Sequence, residues 1–195
     1  MSYGEKFEEA LLYAARLHRG QQRKGTDIPY VNHLLAVASI VGENGGTEDE
    51  VIAALLHDAI EDTPATREDL ATRFGDGVAG IVEECSDADA FPKPSWRKRK
   101  EQYIEHLRHA SPAARLVSAA DKLHNARAIL ADLRSIGDAL WDRFTGGRAG
   151  TLWYYRSLVE VLRETGQGPL VEELDRVVVE IENLAGSTPK TSPAT

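Results

Sequence analysis

The stretch from Ala53 to Thr63 passes abruptly from apolar residues into one histidine and three acids. At about 100° per residue on a helix, these four polar residues share one sector and the apolar residues occupy the other. The polar set is His57, Asp58, Glu61 and Asp62. Three carboxylates this close cannot all stay ionised without a cation, so either a metal binds there or at least one acid is protonated. The other interpretation is a solvated acidic helix end that Thr63-Pro64 stops.

A second apolar helical run meets polar residues within the segment Ala113–Arg127. Asp121 lies four residues before Asn125, so a helix places both side chains on one face. Taken alone, Asp121 is more typical of a hydrogen-bonded helix acid than of a ligand. His33 lies in the first turn of a helix predicted from about Asn32 to Glu43, and alone it is more typical of a core or capping residue.

Considered together, these residues form a set with metal-ligand chemistry. Two imidazoles and two carboxylates each come near the buried end of a predicted helix, in the order His33, His57-Asp58 and Asp121. Helical bundles build metal sites from inward-facing side chains on separate helices in this way. Mixed nitrogen and oxygen ligands suit a borderline or hard divalent ion such as manganese better than a thiolate-type zinc site. The pattern therefore predicts one divalent ion between the helices.

Composition limits the possible partners and the compartment. The formal net charge of −8 over 195 residues argues against general binding of nucleic-acid polymers, although the basic run Trp96–Lys100 can contact a small anion. A single cysteine, Cys85, excludes an intramolecular disulfide and a cysteine-rich metal cluster, and it favours a reducing compartment. The sequence shows neither a secretory signal pattern nor an apolar run near the ~18 residues needed to span a bilayer. We therefore predict a cytoplasmic protein without membrane contacts.

Helical periodicity recurs along the chain, and nothing resembles an alternation of strands and helices. The predicted fold is all-α, a single-domain helical bundle over residues 1–185, followed by a disordered Ser/Thr/Pro tail over residues 186–195. Thr47 and Thr66 are predicted helix caps, and Glu50 completes a capping box with the first of them. Further helices are predicted within Leu133–Phe144 and Gly147–Glu164, and the aromatic content of the second suits either a pocket wall or, more usually, the core.

Two irregular segments leave functional interpretations open. The polar loop Gln21–Tyr30 carries two adjacent cations, Arg23 and Lys24, and is either a solvated turn or an anion contact. The segment Asp87–Ser95 contains two prolines and precedes the basic run, which makes it a candidate lid, although an exposed connection is as common.

Several segments in order carry a resemblance to a known family. They are Gly20-Gln21-x-Arg23-Lys24-Gly25, Pro29-Tyr30-x-x-His33, Ala53-Ala54-Leu55-Leu56-His57-Asp58-x-x-Glu61-Asp62-Thr63 and Ala120-Asp121-Lys122-Leu123-His124-Asn125. The order His…His-Asp…Asp resembles the HD-domain metal-dependent phosphohydrolases. Within these, the segments resemble the hydrolase domain of RelA/SpoT proteins and, more closely, the stand-alone small alarmone hydrolases. The similarity covers about Glu5 to Leu162.

The resemblance implies an HD-type bundle and a Mn²⁺-dependent hydrolase that removes the 3′-pyrophosphate from ppGpp or pppGpp, leaving GDP or GTP. By motif position, the implied ligands of one divalent ion are His33, His57, Asp58 and Asp121. Glu61 and Asp62 would orient and deprotonate the attacking water. The implied substrate contacts are Arg23 and Lys24 for the base and phosphates, Asn125 for the ribose or phosphate, and Lys122 with Arg97–Lys100 for the remaining phosphates.

Two alternative functions share the same metal residues. The first is an HD phosphohydrolase acting on another small nucleotide, such as an adenine alarmone, a deoxynucleotide or the 2′-phosphate of NADPH. Specificity would then rest on the Arg23-Lys24 loop and on Trp153–Tyr155, which are expected to contact base and sugar. The second is a catalytically silent nucleotide-sensing domain. Loss of Glu61 or Asp62 would be its signature, and both acids are present.

Overall fold

The computed structural model describes residues 3–86, 94–166 and 168–187, and the regular elements in these ranges are helical, which confirms the all-α prediction. The α-helices are α1 (Glu5–Leu17), α2 (Val31–Glu43), α3 (Glu48–Leu56), α4 (Ala59–Asp62), α5 (Arg67–Phe74), α6 (Asp76–Cys85), α7 (Trp96–His109), α8 (Pro112–Ile136), α9 (Gly147–Glu164) and α10 (Gly168–Ser187). A 3₁₀-helix, Gly137–Arg143, joins α8 to the segment before α9. Within the described ranges, none of the helices combines the length and apolar character needed to cross a membrane.

Both predicted capping residues begin helices as expected. The Thr47 side chain accepts from the backbone N–H of Glu50, whose carboxylate accepts from the backbone N–H of Thr47 at 2.6 Å, so a full capping box starts α3. Thr66 and Asp69 form the same reciprocal arrangement at the start of α5. Each box satisfies backbone donors that a helix N-terminus otherwise leaves unpaired.

Helices α3 and α8 form the centre of the bundle. Every residue of α3 from Val51 to Leu56 is buried. Helix α8 packs against α2, α3, α6, α9 and α10, and its long buried stripe ends at Leu133. Complete burial of one leucine side chain contributes about 1.5–3 kcal/mol, so this central pair provides a rigid support for polar side chains that interrupt it.

The structure corrects the prediction of a separate helix over Leu133–Phe144. Helix α8 continues without a break to Ile136, because its apolar stripe extends through the buried residues Leu130 and Leu133. Gly137 then ends it with a φ of 60°, a conformation that glycine adopts without strain. Asp121 therefore lies in the middle of α8, not near a helix end as predicted.

The opening motif is also not one continuous helix. Helix α3 ends at Leu56, His57 caps it, and Asp58 has φ −100° and ψ 2° before the single turn of α4. This bridge region is sparsely populated and is often occupied by active-site residues. Because of this break, Glu61 and Asp62 belong to a different helix from the one that His57 caps, so the four polar residues do not share one continuous helix as predicted.

The predicted tail and the candidate lid fall mostly outside the described residues. Helix α10 extends to Ser187, two residues into the segment predicted as tail, and residues 188–195 lie beyond the described range. Of the segment Asp87–Ser95, residues 87–93 lie outside the described ranges as well. Their predicted roles remain predictions.

Candidate active site

Three helical segments bring the four predicted metal ligands together. His33 comes from the first turn of α2, His57 and Asp58 from the break after α3, and Asp121 from the middle of α8. The Nε2 atom of His33 lies 3.1 Å from Asp121 Oδ1 and 3.7 Å from Asp58 Oδ2. The Nε2 atom of His57 lies 2.9 Å from Asp58 Oδ2 and 3.8 Å from Asp121 Oδ1. Two ring nitrogens and two carboxylate oxygens thus face one another.

Hydrogen bonds on the far side of each imidazole orient the two histidines. The Nδ1 atom of His57 lies 2.8 Å from the backbone carbonyl of Ala54. Since a carbonyl only accepts, Nδ1 carries the proton and donates, leaving the lone pair of the neutral ring on Nε2. The Nδ1 atom of His33 lies 2.8 Å from Nδ1 of His124. Such outer contacts fix the tautomer and orientation of a metal-ligating histidine.

The electrostatics of the site favour a positive charge at its centre. Burial alone would lower the pKa of His57, but the carboxylates of Asp58 and Asp121 outweigh it and raise this pKa to about 9. Burial would raise the pKa of Asp58, yet His57 and the Tyr30 hydroxyl lower it to about 2. The pKa of Asp121 is lowered well below its usual value, because Lys122, His33 and His57 outweigh burial. Both carboxylates therefore stay ionised.

The residues present fit a divalent metal ion. One ligand atom each from His33, His57 and Asp58 lies within 4.8 Å of the others. The Nε2 atom of His57 is buried and makes no hydrogen bond of normal geometry to any described residue, although a carboxylate lies nearby. A buried ring nitrogen without a hydrogen bond, facing ionised oxygens, suits a first-row divalent ion, which imidazole and carboxylate groups commonly bind.

Neighbouring side chains fix the two carboxylates. Lys122 Nζ lies 2.5 Å from Asp121 Oδ2, and Asn125 Nδ2 donates to Asp121 Oδ1 at 2.5 Å. Tyr30 donates its hydroxyl to Asp58 Oδ2 at 2.5 Å. Lys122 and Asn125 are predicted substrate contacts, and in the structure both hold the predicted metal ligand Asp121. Tyr30 has no predicted role, although its place three residues before His33 in the quoted motif was a usable signal.

Two adjoining cavities open beside the four ligands. The smaller, about 40 Å³, is lined by His57, Asp58 and Asp121 together with Glu61. The larger, about 670 Å³, lies on the His33 side and falls within the usual range for a small-molecule site. Lys100, Lys122 and Tyr154 line both, so the two spaces adjoin. The larger cavity is also bordered by His124, Asn125, Phe144, Thr151 and Tyr155.

Positive side chains surround the larger cavity, and two of them belong to the predicted substrate loop. Arg23 and Lys24 both line it, and Arg23 donates to Asn125 Oδ1 at 2.6 Å. The other cations on its wall are Lys100, Lys122 and Arg143. Arg143 has no predicted role, because its segment shows only helical periodicity in the sequence.

A tight contact joins Arg143 to the substrate loop. Arg143 is held by Asp132 at 2.8 Å and lies against Gly25 of the loop. A Cβ atom at Gly25 would come within 2.9 Å of Arg143, and the residue has a φ of +75°. Both observations explain why glycine occupies this position.

The two predicted catalytic acids have different surroundings. Glu61 lines the small cavity with three of the four ligands. Asp62 is exposed and lies outside the lining of both cavities, and its Oδ2 accepts a hydrogen bond from Gln21 Nε2 at 2.8 Å. The structure therefore brings Glu61 to the ligand cluster and turns Asp62 toward the loop after α1.

The basic run at the start of α7 has mixed roles. Trp96 and Lys100 line the larger cavity. The Arg97 guanidinium stacks on Trp153 at 3.3 Å from the ring centre and pairs with Glu101 at 2.7 Å, so it stabilises the packing of α7 on α9. In α9, the buried Tyr154 forms part of the cavity wall, so core packing and pocket closure are served by the same helix.

Comparison with protein families agrees with the ligand geometry. Residues 10–151 match the model of the HD domain. The chain belongs to the HD-domain family. This membership confirms the resemblance inferred from the His…His-Asp…Asp order, and an HD domain with a His/Asp cluster of this geometry implies a divalent metal ion.

Curated relatives of this HD-domain chain include named hydrolases. The chain is 45% identical to guanosine-3′,5′-bis(diphosphate) 3′-pyrophosphohydrolase MESH1 of Xenopus tropicalis and 44% identical to that of Homo sapiens, in each case over 122 residues. Each match covers 61% of this chain and 66% of the relative, so just under two thirds of the relatives' length is spanned. The bifunctional (p)ppGpp synthase/hydrolase SpoT of Escherichia coli K12 is 38% identical over 131 residues, covering 64% of this chain and 18% of SpoT.

Solved structures match this HD-domain chain over a larger share of its length. One, described as a metazoan ortholog of SpoT that hydrolyzes ppGpp and plays a role in starvation responses, superposes with a TM-score of 0.78 at 34% identity. The superposition covers 92% of this chain and 97% of the solved chain. The crystal structure of lmo0812 from Listeria monocytogenes EGD-e superposes with a TM-score of 0.70 at 32% identity, covering 77% of this chain and 99% of that one.

Proposed function

We propose that this HD-domain chain is a Mn²⁺-dependent hydrolase that removes the 3′-pyrophosphate from ppGpp or pppGpp, leaving GDP or GTP. The observation that carries the proposal is the position of the ligand cluster His33, His57, Asp58 and Asp121 beside a cavity of about 670 Å³ walled by cations. The names of the MESH1 relatives and the similarity to a ppGpp-hydrolysing structure support guanosine alarmones as the substrate class.

The cavity walls supply the charges that such a substrate needs. A guanosine alarmone carries two pyrophosphate groups, and its binding requires several cations that act together. Arg23 and Lys24 face the base and phosphates from the loop after α1, and Asn125 bonds the ribose or phosphate. Lys100, Lys122 and Arg143 lie on the same wall and neutralise the remaining charge.

The four predicted ligand residues would hold a divalent ion between α2, α8 and the break after α3. His33 and His57 present Nε2 lone pairs, and Asp58 and Asp121 balance the positive charge. A bound divalent ion lowers the pKa of a water and neutralises charge on the attacked phosphoryl group. Tyr30 contacts one oxygen of Asp58, and Lys122 contacts one oxygen of Asp121. These contacts limit the rotation of the two carboxylates.

Proton transfer is assigned to the acids that follow the ligands. Glu61 lies in the small cavity beside Asp58 and Asp121, where its carboxylate accepts a proton from the attacking water. Asp62, the next residue, is assigned the orientation of this water; its carboxylate lies outside the lining of the small cavity and accepts a hydrogen bond from Gln21. We also propose that the binding partner is a small nucleotide and not a nucleic-acid polymer or a membrane. The proposed location is the cytoplasm.

A nucleotide panel tests the proposal. The metal-free protein is reloaded with Mn²⁺ and incubated with ppGpp, the adenine counterpart, a deoxynucleoside triphosphate and NADPH, and the products are separated by ion-exchange chromatography. We expect GDP and pyrophosphate from ppGpp, with kcat/KM at least tenfold above that for the other nucleotides. Release of orthophosphate only, or faster turnover of NADPH or the adenine nucleotide, would overturn the substrate assignment.

A further inference from the structure

We propose that His18 and Gln21 are positioning residues that hold the carboxylate of Asp62 in the orientation needed to align the attacking water. Neither His18 nor Gln21 lines either cavity, so both act through Asp62 and not by contact with the nucleotide. The inference rests on the proposed hydrolysis, in which Asp62 orients the attacking water.

A chain of two short hydrogen bonds connects the three residues. Gln21 Nε2 donates to Asp62 Oδ2 at 2.8 Å, and Gln21 Oε1 lies 2.6 Å from His18 Nδ1. The backbone of Gln21 is itself fixed, because its N–H donates to the carbonyl of His18 at 3.0 Å and its carbonyl accepts from the N–H of Tyr30 at 2.9 Å. The loop therefore presents the Gln21 side chain between a helix end and the acid.

The chemistry of Asp62 dictates the direction of every bond in this chain. An ionised carboxylate only accepts hydrogen bonds, so the amide group of Gln21 must turn its NH₂ toward Asp62. The amide oxygen then faces His18, and an oxygen can only accept, so His18 Nδ1 must carry the ring proton. The opposite orientation of the amide would place its oxygen against the carboxylate. His18 thus selects the amide orientation that suits an ionised Asp62.

The buried state of His18 supports a dedicated role. Its side chain is 3% exposed, and its Nε2 makes no hydrogen bond to the described part of the chain. A ring whose proton lies on Nδ1 leaves Nε2 as an unprotonated nitrogen, so no buried N–H is left without an acceptor. The ring also stacks on Tyr30, with centroids 5.3 Å apart and an interplanar angle of 23°. Because Tyr30 donates to Asp58, a substitution at His18 affects both Asp58 and Asp62. A substitution of the Gln21 side chain affects Asp62 alone of these two acids.

The first test removes the bond to Asp62 without changing the length of the side chain. Gln21→Met is compared with Gln22→Met, which alters the exposed neighbouring glutamine. We expect Gln21→Met to lower kcat for ppGpp about 10–100-fold, the usual effect of losing an outer hydrogen-bond partner, with KM and Mn²⁺ content unchanged. Gln22→Met should match the wild type. An unchanged kcat in Gln21→Met, or a rise in KM alone, would overturn the positioning role.

A double-mutant cycle separates this role from a general effect on the fold. In an Asp62→Asn background, Gln21→Met should lower kcat no further, because its effect passes through the acid already removed. An equal loss in both backgrounds would show that Gln21 acts elsewhere. His18→Asn keeps a donor near the position of Nδ1, and His18→Gln places one near Nε2. The variant His18→Asn should therefore retain a higher kcat than His18→Gln, and the reverse order would contradict the proposed chain of hydrogen bonds.

The ¹⁵N NMR spectrum of the His18 ring tests the arrangement without reference to activity. We expect a protonated Nδ1 and an unprotonated Nε2 in the wild type, and a change at Nδ1 but not a loss of the folded spectrum in Gln21→Met. A wild type that hydrolyses no alarmone but shows this tautomer would refute the proposed function and leave the hydrogen-bonded chain standing. A proton on Nε2 in place of Nδ1 would refute the chain whatever the activity.

Discussion

The Nδ1 atoms of His33 and His124 lie 2.8 Å apart, so a hydrogen bond between these two rings joins α2 to α8 behind the predicted ligand cluster. Burial, with His33 and Arg23 nearby, lowers the pKa of His124 to about 4, so this ring is neutral at pH 7. If His33 offers the Nε2 lone pair to a metal, its own proton must be on Nδ1, and His124 then accepts it.

The first prediction follows from this pair. His124→Ala removes the acceptor that orients His33, so we expect the affinity for Mn²⁺ to fall about 10–100-fold, measured by calorimetric titration of metal-free protein without nucleotide. His109→Ala, which changes an exposed histidine in α7, is the matched control and should bind Mn²⁺ as the wild type does. Equal Mn²⁺ affinities in all three proteins would mean that His124 does not orient the ligand.

The second prediction concerns the loop after α1. Changing Arg23 and Lys24 to Ala removes two cations from the cavity wall and the bond to Asn125. We expect KM for ppGpp to rise about tenfold or more while Mn²⁺ content stays at the wild-type level. Arg19→Ala, an exposed cation at the end of the preceding helical region, is the control. Unchanged kinetics in the double variant would assign Arg23 and Lys24 to a solvated turn.

The third prediction separates water activation from metal binding. Glu61→Gln keeps the shape of the side chain and removes the base, so kcat should fall by about 10²–10⁴-fold, the usual contribution of general acid–base catalysis. Metal content and nucleotide binding should survive, as measured by elemental analysis and equilibrium dialysis. Glu68→Gln, on the exposed face of α5, should leave kcat unchanged. If Glu61→Gln loses the ion together with its activity, Glu61 is a ligand.

The fourth prediction uses the pKa of His57 in the metal-free protein. Folding raises this pKa from 6.5 to about 9, so the protonated ring stabilises the fold fully below pH 6.5 and this stabilisation is lost as the pH rises through 9. The difference corresponds to at most about 3 kcal/mol. The pKa of His33 is lowered, mainly by burial, so its contribution is constant above pH 6.5. Denaturant unfolding should show that the free energy of unfolding decreases between pH 6.5 and 9.5.

Two comparisons test that assignment. The metal-free variant His57→Asn should lose most of this decrease in the unfolding free energy over the same pH range, because the titrating ring is absent. With saturating Mn²⁺, the unfolding free energy of the wild type should rise with pH instead of falling, since metal ligands bind in their deprotonated form. A decrease of the same size in His57→Asn would mean that another group is responsible.

Much of the fold could be predicted from the sequence because its signals are local. Periodicity indicated helices, and the threonine caps with their acids marked where α3 and α5 begin. The end of α8 could not be placed, because the apolar pattern continues past Asp121 and a glycine at position 137 resembles many other loop glycines. Its φ of 60° is a property of the folded chain.

The convergence of His33, His57, Asp58 and Asp121 could be predicted because these residues follow a recognisable order of residue types along the chain. Its supporting contacts could not, because they depend on how helices cross. His124 meets His33 only where α2 packs on α8, and Tyr30 reaches Asp58 across 28 positions in the sequence. The different surroundings of Glu61 and Asp62 depend on the break at Asp58 and on a glutamine that lies 41 residues before Asp62.

The most direct test of the central claim is a titration of metal-free protein with Mn²⁺ in which binding and ppGpp hydrolysis are followed in the same samples. We expect one ion per chain, with turnover rising in proportion to occupancy. Asp58→Ala and Asp121→Ala should lose both, because each removes an ionised ligand from the cluster. Hydrolysis by the metal-free wild type, or full metal binding and turnover in Asp121→Ala, would contradict the account.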